Sequence, residues 1–259
     1  MRTPQRLLNI FPALLMVLAL IGAWELYVDL GGVDPSILPA PHAVAQALYD
    51  DRSLLWSNFL VTGREVLLGG LLATVVGLAL AIGIHFSRTL RLALYPLIVA
   101  SQAVPVVILA PILTLWLGFG IAPKLVVVAL VSFFAIVVTT LDGLGSVDPD
   151  LIKLMRTFDA SRVRTFRHVE LPAVLPGVFT GAKIAVAVSV IGAVFAEWNG
   201  SNSGLGYTLI QSIPQLLAAR AVAAVVILAV FAIVLFGLLT LAERAAVPWA
   251  YQHSGERTS

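Results

Sequence analysis

The chain has 259 residues, of which 59% are hydrophobic and only 12% are charged, and its mean hydropathy is +0.99. A soluble domain carries roughly a quarter charged residues, so this composition excludes a single soluble core and indicates a chain that uses the bilayer as solvent. The net charge of +2 is too small to indicate nucleic-acid binding, and the absence of cysteine excludes disulfides and thiolate metal sites.

Six runs are long and apolar enough to cross a hydrocarbon layer of about 30 Å, which requires about 20 residues. In chain order they are Leu7–Val28, Leu67–Ile84, Tyr95–Leu117, Leu125–Leu141, Pro176–Ala196 and Ala221–Ala242. The first run is long for a secretory signal and ends without a small-x-small cleavage pattern, so we expect a retained helix. The pattern predicts an all-α integral membrane protein with six transmembrane helices.

Positive charges are distributed unevenly among the segments that connect these runs. With the N-terminus inside, the inner segments hold eleven of the 16 lysines and arginines, the outer segments hold four, and Lys183 lies within a span. Cytoplasmic loops of membrane proteins carry such an excess. We therefore predict a protein of the bacterial inner membrane with both termini in the cytoplasm.

Two hydrophilic segments are longer than ordinary connectors. The outer one opens with turn signals and continues as an amphipathic stretch from Ala43 to Trp56, which predicts a helix lying in the outer interface. The inner one carries five of the eleven inner positive charges. The predicted organisation has three parts: an N-terminal helix with its outer segment at 1–58, a five-helix core at 59–249 that includes the inner loop 142–172, and a cytoplasmic tail at 250–259.

The motifs of ATP binding and of common hydrolases are absent from the sequence. There is no GxxxxGK[ST] phosphate loop, no HExxH and no GxSxG pattern, and the four histidines are scattered. We expect His42, His85, His168 and His253 to be interfacial or loop residues, with no metal site. The middle of the spans is almost free of ionisable groups, which argues against the rival class of ion-coupled secondary transporters. The energy for transport is therefore expected to come from a separate ATP-hydrolysing subunit, and this chain is not expected to be an enzyme.

The inner loop is predicted to contain two short helices. The first, Leu151–Phe158, has aspartates near its N-terminus. Asp159 is expected either to cap the second helix, 160–169, or to adopt the left-handed backbone of a bend. Pro172 is expected to end that helix.

Several apolar residues of this loop are unsuited to open solvent. They are Leu154, Met155, Phe158, Val163 and Phe166. A partner surface that buries them is one interpretation, and a solvated loop whose arginines only fix the topology is the other.

The loop resembles the EAA loop of ABC importer permeases, which has the form E-A-A-x3-G-x9-I-x-L-P. Aligning the closing Leu171-Pro172 places Lys153-Leu154-Met155 at the E-A-A and Asp159 at the glycine, so this chain departs from the pattern at both. The stretch DASRVRTFRHVELPAVLPGVFTGAKIA is similar to the usual family sequence. The resemblance implies a type I importer permease fold and a loop that couples to an ATPase through Lys153, Leu154, Met155, Phe158, Asp159, Ala160, Ser161, Phe166, Leu171 and Pro172.

The same resemblance implies partners and a cargo. The partners are a second permease copy, most simply forming a homodimer, two ATP-binding subunits that use ATP and Mg²⁺, and an external solute-binding protein. This chain itself is expected to bind no cofactor. Leu97–Val128 resembles the nitrate, sulfonate and taurine branch, whereas Gly192–Ile210 looks most like permeases for the hydroxymethylpyrimidine precursor of thiamine. The alternative cargo is an alkanesulfonate, taurine or nitrate.

Spans three and five are predicted to line the path of the solute. Span three contains Gln102 and Pro105, and the alternative for it is a kinked packing helix without solute contact. Glu197, Trp198 and Tyr207 follow span five, and the alternative for the two aromatic residues is the ordinary interfacial belt. A carboxylate at an outer mouth suits a neutral or cationic heteroaromatic base and repels sulfonate.

Span five also carries small residues at four-residue spacing, starting with Gly177 and Gly181. Such a stripe lets two helices approach closely, so helix packing is its predicted role. Lys183 lies about 21 Å along this helix from Glu197, so the two side chains are not expected to pair within a straight helix.

Overall fold

The computed structural model of the protein describes residues 4–252 and is helical throughout, with no strand in that range. The helices are α1 Pro4–Gly31, α2 Pro41–Asp50, α3 Arg52–Phe86, α4 Arg88–Ser101, α5 Val106–Leu117, α6 Ile121–Gly145, α7 Pro149–Thr157, α8 Arg162–Thr165, α9 Leu171–Trp198, α10 Leu205–Ser212, α11 Ala218–Ala246 and α12 Trp249–Gln252. A π-helical turn, Phe166–Glu170, joins α8 to α9. The all-α prediction is confirmed. His253 and most of the predicted tail lie outside the described residues.

The membrane-spanning helices follow the hydropathy prediction. Five are long and apolar enough to cross a bilayer, and the bent pair of α4 and α5 supplies a sixth span. Helix α3 has 35 residues and is therefore about 52 Å long, well beyond the hydrocarbon thickness. The predicted boundary between residues 58 and 59 falls within this helix.

The core is built around α6, which packs against α3 on one side and α9 on the other. Close approach is possible because glycines lie at both contacts. A Cβ atom at Gly77 of α3 would lie 3.1 Å from Cγ2 of Ile136, and one at Gly177 of α9 would lie 3.0 Å from the carbonyl oxygen of Thr139. At Gly181 a Cβ atom would collide with the Thr139 hydroxyl and lie 3.0 Å from the carbonyl oxygen of Ala135. The small residues predicted for packing thus lie at the α6–α9 interface.

The outer segment divides differently from the prediction. The prediction of a single interfacial helix from Ala43 to Trp56 is wrong, because α2 ends at Asp50 and Trp56 belongs to α3. The junction is held by Asp51, whose two carboxylate oxygens accept hydrogen bonds of 2.7 and 2.8 Å from the guanidinium group of Arg220 on α11. This bidentate pair fixes the point at which the chain turns into the membrane.

Helix α1 is attached to the rest of the protein mainly at its outer end. Trp24 packs against the main apolar cluster, and Glu25 accepts hydrogen bonds from the backbone N–H and the ring of His42 on α2. The hydrogen bond to this carboxylate raises the pKa of His42. The remaining described side chains of α1 are mostly exposed, so the membrane or a neighbouring chain must cover them.

The third predicted span is broken. Helix α4 ends at Ser101, α5 begins at Val106, and their axes are bent by 104°. The predicted run Tyr95–Leu117 is therefore divided between two helices, and the alternative of a single kinked helix is wrong. Pro105 has no N–H to continue the helical ladder and disfavours helical backbone at Val104. The chain closes the gap with tighter turns, in which Ala103 N donates to Ala100 O at 3.0 Å.

The second helix of the inner loop also differs from the prediction. Ser161, not Asp159, caps α8, by accepting a hydrogen bond from Arg164 N at 3.3 Å. Pro172 does not end the helix, because the π-helical turn lets Leu171 N donate to Phe166 O five residues earlier and relieves the constraint that proline places on the preceding turn. Residues 162–198 thus form one apolar helical span of 37 residues.

Candidate coupling loop and translocation pathway

Helix α7 presents an apolar face that no residue between positions 4 and 252 covers. Asp148 caps the helix by accepting a hydrogen bond from Asp150 N at 2.9 Å, which agrees with the predicted N-terminus. Leu151, Leu154 and Phe158 follow at intervals of three and four residues, so they lie on one face, and Phe158 is 72% exposed. No side chain of α7 is buried. An apolar face of this kind requires a partner surface.

The end of α7 is a Schellman motif centred on Asp159. The N–H of Asp159 donates to Arg156 O at 3.0 Å and that of Ala160 donates to Met155 O at 3.1 Å, the pairing that defines this motif. Asp159 has a φ of 56°, the left-handed backbone that glycine usually supplies. The predicted bend at Asp159 is therefore present, and it lies where the family pattern has glycine.

We expect Asp159→Gly to preserve the loop and to raise the stability of the permease by about 1 kcal/mol, because glycine removes the left-handed strain. Asp159→Val should have the opposite effect, since a β-branched residue adopts positive φ at high cost. Thermal unfolding of the two purified variants checks this prediction. Equal midpoints for Gly and Val would contradict it.

The remaining loop residues divide between solvent and the protein interior. Lys153 forms an exposed pair with Asp150 at 2.8 Å, whereas Met155 and Ala160 are half-buried and Leu171 and Pro172 lie in the first turn of α9. Phe166 packs against His85 and Phe86 at the inner end of α3, with ring centroids 6.0 and 5.1 Å apart. Phe166 therefore attaches the loop to its own chain, and the apolar surface that the loop leaves exposed consists chiefly of the α7 residues.

Gln102 and Pro105 lie at the break between α4 and α5, and both are exposed. Non-helical backbone inside a bilayer is tolerated only where protein or a water-filled cavity covers it. A second protein surface or an aqueous path is therefore required at this position.

Glu197 is not exposed at an outer mouth, contrary to the sequence expectation. Its side chain is 1% exposed, and its carboxylate accepts hydrogen bonds from Gly206 N and the Thr62 hydroxyl, both at 2.6 Å, and from Tyr207 N at 3.3 Å. The carboxylate thus satisfies free N–H groups at the N-terminus of α10, where a negative charge is favourable. Its geometry gives it a structural role.

The loop before α10 is fitted closely around this carboxylate. A Cβ atom at Gly204 or at Gly206 would collide with the carboxyl group of Glu197, and Gly204 has a φ of 114°. Asn58 Oδ1 accepts from Gly204 N at 2.6 Å, and Thr62 Oγ1 accepts from Leu205 N at 2.8 Å. Sequence reasoning missed Asn58 and Thr62, because they are more than 140 residues from this loop in sequence and only the folded structure brings them together.

A buried ion pair extends the network to α6. Lys124 Nζ donates to Glu65 Oε1 and to the Ser201 hydroxyl, each at 2.7 Å. The side chains of Glu65 and Lys124 are only 2% and 11% exposed. The pair therefore ties α3, α6 and the outer loop together, and neither charge is free to meet a solute.

Lys183, the cation within span five, is also paired. Its Nζ lies 2.8 Å from Glu243 Oε2 on α11, and both side chains are largely buried. The expectation that Lys183 does not pair with Glu197 agrees with this arrangement. The sequence offered no sign that Glu243, 60 residues away, is the partner.

A cavity of about 510 Å³ opens at the outer end between α5 and the loop that follows α9. Trp198 and Phe119 line it together with Thr114, Asn199 and other uncharged residues. Trp198 is 37% exposed and Phe119 is 84% exposed. The volume is that of a small-molecule site, and the aromatic faces suit a flat ring. Tyr207 is half-buried and does not line this cavity.

A second outer cavity, of about 480 Å³, has a different character. It is lined by Arg64, Glu65, Lys124 and neighbouring apolar residues. Lys124 is neutralised by Glu65, but Arg64 is exposed and forms no ion pair within the described chain. The positive charge of Arg64 would attract an anionic solute to this cavity.

The comparisons with known proteins agree with this geometry. Residues 73–247 match the family model described as "Binding-protein-dependent transport system inner membrane component". A probable ABC transporter permease protein of Haemophilus influenzae is 40% identical over 205 residues, which cover 79% of this chain and 84% of that protein. The formylaminopyrimidine transport permease protein of Halalkalibacterium halodurans is 35% identical over 236 residues, which cover 91% of this chain and 94% of that protein.

A more distant relative is a putative aliphatic sulfonates transport permease protein of Bacillus subtilis, which is 28% identical over 244 residues that cover 93% of this chain and 88% of that protein. Among solved structures, a chain of an inward-facing methionine ABC transporter superposes with a TM-score of 0.62 at 18% identity, covering 83% of this chain and 99% of that one. The chain belongs to the family of binding-protein-dependent transport system inner membrane components. It is the permease subunit of an ABC importer, with the type I permease fold, and a transport subunit rather than an enzyme.

Proposed function

We propose that this permease imports a neutral heteroaromatic compound, most closely a pyrimidine precursor of thiamine, into the cytoplasm by alternating access. The observation that carries the proposal is the 35% identity, over more than nine-tenths of both chains, to the formylaminopyrimidine permease. The outer cavity beside Trp198 supports it, because its lining offers aromatic faces and no charge. Glu197 is buried and offers no carboxylate to the solute.

An alkanesulfonate, taurine or nitrate is the second candidate cargo. The sulfonate relative and the cavity beside Arg64 favour it. The two candidates differ in the residue that contacts the solute: a pyrimidine would stack on Trp198, whereas an anion would pair with Arg64.

Uptake by proteoliposomes that contain the complete transporter and its solute-binding protein separates the two cargoes. We expect accumulation of a labelled aminopyrimidine, and we expect Trp198→Ala to reduce its rate about tenfold, which corresponds to about 1.4 kcal/mol of lost stacking. Arg64→Gln is the matched control and should leave the rate unchanged. Accumulation of an alkanesulfonate that depends on Arg64 and not on Trp198 would overturn the proposed cargo.

The energy for transport is proposed to come from two ATP-binding subunits that use ATP and Mg²⁺, while this chain binds neither. They would meet a permease homodimer at the loop 142–172, and an external solute-binding protein would deliver the cargo on the opposite side. The exposed face of α7 supports the docking site. The break at residues 102–105 supports the dimer, because a second copy or a wet path must cover it. The proposed membrane is the bacterial inner membrane, with both termini in the cytoplasm.

The docking role predicts that Phe158→Asp removes the ATP-binding subunit from the purified complex and abolishes uptake. A buried carboxylate at an apolar contact costs several kcal/mol, while the exposed position of Phe158 leaves the permease itself folded. Co-purification of the ATP-binding subunit measures the effect. Ser146→Asp, an equal change of charge at an exposed residue of the same segment, is the control. A Phe158→Asp complex that retains its ATP-binding subunit and its uptake would show that α7 is not the docking element.

A further inference from the structure

A basic cavity at the inner end of the bundle lies outside both the proposed solute path and the exposed face of α7. It has a volume of about 460 Å³ and is lined by Arg88 and Arg91 of α4 and by Arg162 of α8. The remaining lining includes His85 and apolar residues from the inner ends of α3 and α6. Three arginines thus line one cavity, whose volume is within the range of small-molecule sites.

The described part of the chain does not neutralise these arginines. None of the three forms an ion pair with any residue between positions 4 and 252. Arg162 donates a hydrogen bond of 3.4 Å to the carbonyl oxygen of His85 and lies over the ring face of Phe86. No acidic residue among those described lines the cavity, and the carboxylate that pairs with His85, Glu170, lies 2.9 Å from its ring. The cavity therefore carries a local positive charge that an anion would offset.

The position of two of the arginines at the N-terminus of α4 adds to this positive charge. Arg88 and Arg91 are three residues apart, so they share one face of α4, and both lie in the first turn of that helix, which contains no acidic residue. The N-terminus of a helix carries a partial positive charge and normally attracts acidic side chains. Here the charges of the side chains and of the helix end have the same sign, and an external anion would relieve both.

The surroundings select an amphiphilic anion. Leu92, beside Arg91, is 70% exposed and lines the cavity together with Ile84, Leu141 and Leu144. The cavity lies at the last turns of α3 and α6, where the membrane-spanning helices end. A group that places a phosphate on arginines and a hydrocarbon chain on leucines at the edge of the bilayer is a phospholipid.

We propose that this cavity binds the headgroup of an anionic phospholipid from the leaflet on the side of the coupling loop. The phosphate would contact Arg88, Arg91 and Arg162, and the first part of an acyl chain would lie on Leu92. Because Arg162 immediately follows the bend at Asp159 and Ser161, the lipid would connect the membrane edge directly to the coupling loop. A lipid-dependent rate of transport would follow.

The test uses the complete transporter, with its ATP-binding subunits, stripped of lipid in detergent and then supplied with phosphatidylglycerol or with phosphatidylcholine. Bound lipid is counted by native mass spectrometry. We expect retention of phosphatidylglycerol over phosphatidylcholine, and a loss of about fivefold in affinity for each arginine removed in the Arg88→Gln/Arg91→Gln variant. Arg164→Gln/Arg167→Gln removes the same two charges from exposed residues outside the cavity and should retain the lipid.

Three outcomes would overturn the proposal. The first is that the double variant retains as much phosphatidylglycerol as the parent and keeps its ATP-binding subunit. The second is that the double variant loses the ATP-binding subunit while lipid retention is unchanged, which would make the cavity part of the protein interface. The third is that glycerol phosphate displaces the lipid at equal concentration, which would make the cavity a site for a soluble anion. If the double variant does not fold, Arg91→Gln alone decides the question, because Arg91 is exposed on α4.

Discussion

Replacing Lys124 with methionine is expected to lower the free energy of unfolding by about 3 to 5 kcal/mol, because it leaves the buried carboxylate of Glu65 without its counter-charge. The hydroxyl of Ser201 also loses its hydrogen bond to α6, so the outer loop should loosen. Unfolding of the purified permease in detergent, followed by circular dichroism against temperature or denaturant, measures the change.

Lys153→Met provides the control for this experiment. It removes the same charge from an ion pair of nearly the same length, but that pair is exposed, so no measurable change is expected. A Glu65→Leu/Lys124→Met double variant should recover much of the lost stability, since it leaves no buried charge uncompensated. Equal stability of Lys124→Met and Lys153→Met would show that the buried pair does not hold the outer loop.

The second large effect is expected at the contact between α6 and α9. Gly181→Leu should lower the free energy of unfolding by about 3 kcal/mol or prevent assembly of the bundle. The new side chain would meet backbone atoms of Ala135 and Ile136 at 3.0 and 3.1 Å, and backbone cannot move aside as a flexible side chain can. Expression level and the unfolding midpoint in detergent report the effect.

Gly237→Leu is the matched substitution on α11. Gly237 also lies within a membrane-spanning helix, but no atom lies within 4 Å of the position that its Cβ would occupy. This variant should fold as the parent does. A Gly181→Leu permease as stable as Gly237→Leu would mean that α6 and α9 do not pack as the structure has them.

Hydropathy and local patterns predicted the spans and the inner loop because both depend on neighbours in sequence. The six apolar runs became five spanning helices and one bent pair. Asp148 and Asp150 indicated the start of α7 to within two residues, and Asp159 indicated a bend that the chain makes with left-handed backbone. Capping and bending are decided within a few residues, so a single sequence carries them.

The roles of the buried charges could not be predicted, because they depend on long-range pairing. Glu197 is apart from Thr62 by 135 positions, and Lys124 from Glu65 by 59. A glutamate at the end of a hydrophobic helix has the same local sequence whether it faces a solute or caps another helix. Only the packing of α3 against α10 decides that Glu197 is buried.

The break in span three was underestimated for a related reason. Pro105 indicated a disturbance of the helix, but proline alone produces anything from a mild kink to two separate helices. The bend of 104° requires something to cover the exposed backbone around Gln102, and a single chain does not supply it. The sequence of one subunit therefore does not specify the size of the bend.

The long helix that ends at Trp198 would act as a lever. Its regular part, Leu171–Trp198, has 28 residues and extends about 42 Å, so a rigid tilt of about 10° at its inner end would move its outer end by about 7 Å. The stiff part of this lever begins at Leu171, while the wider π-helical turn at Phe166–Glu170 lies at its inner end, where a force from the coupling loop would enter. Small rotations at the cytoplasmic surface would thereby become displacements at Trp198 as large as the cargo itself.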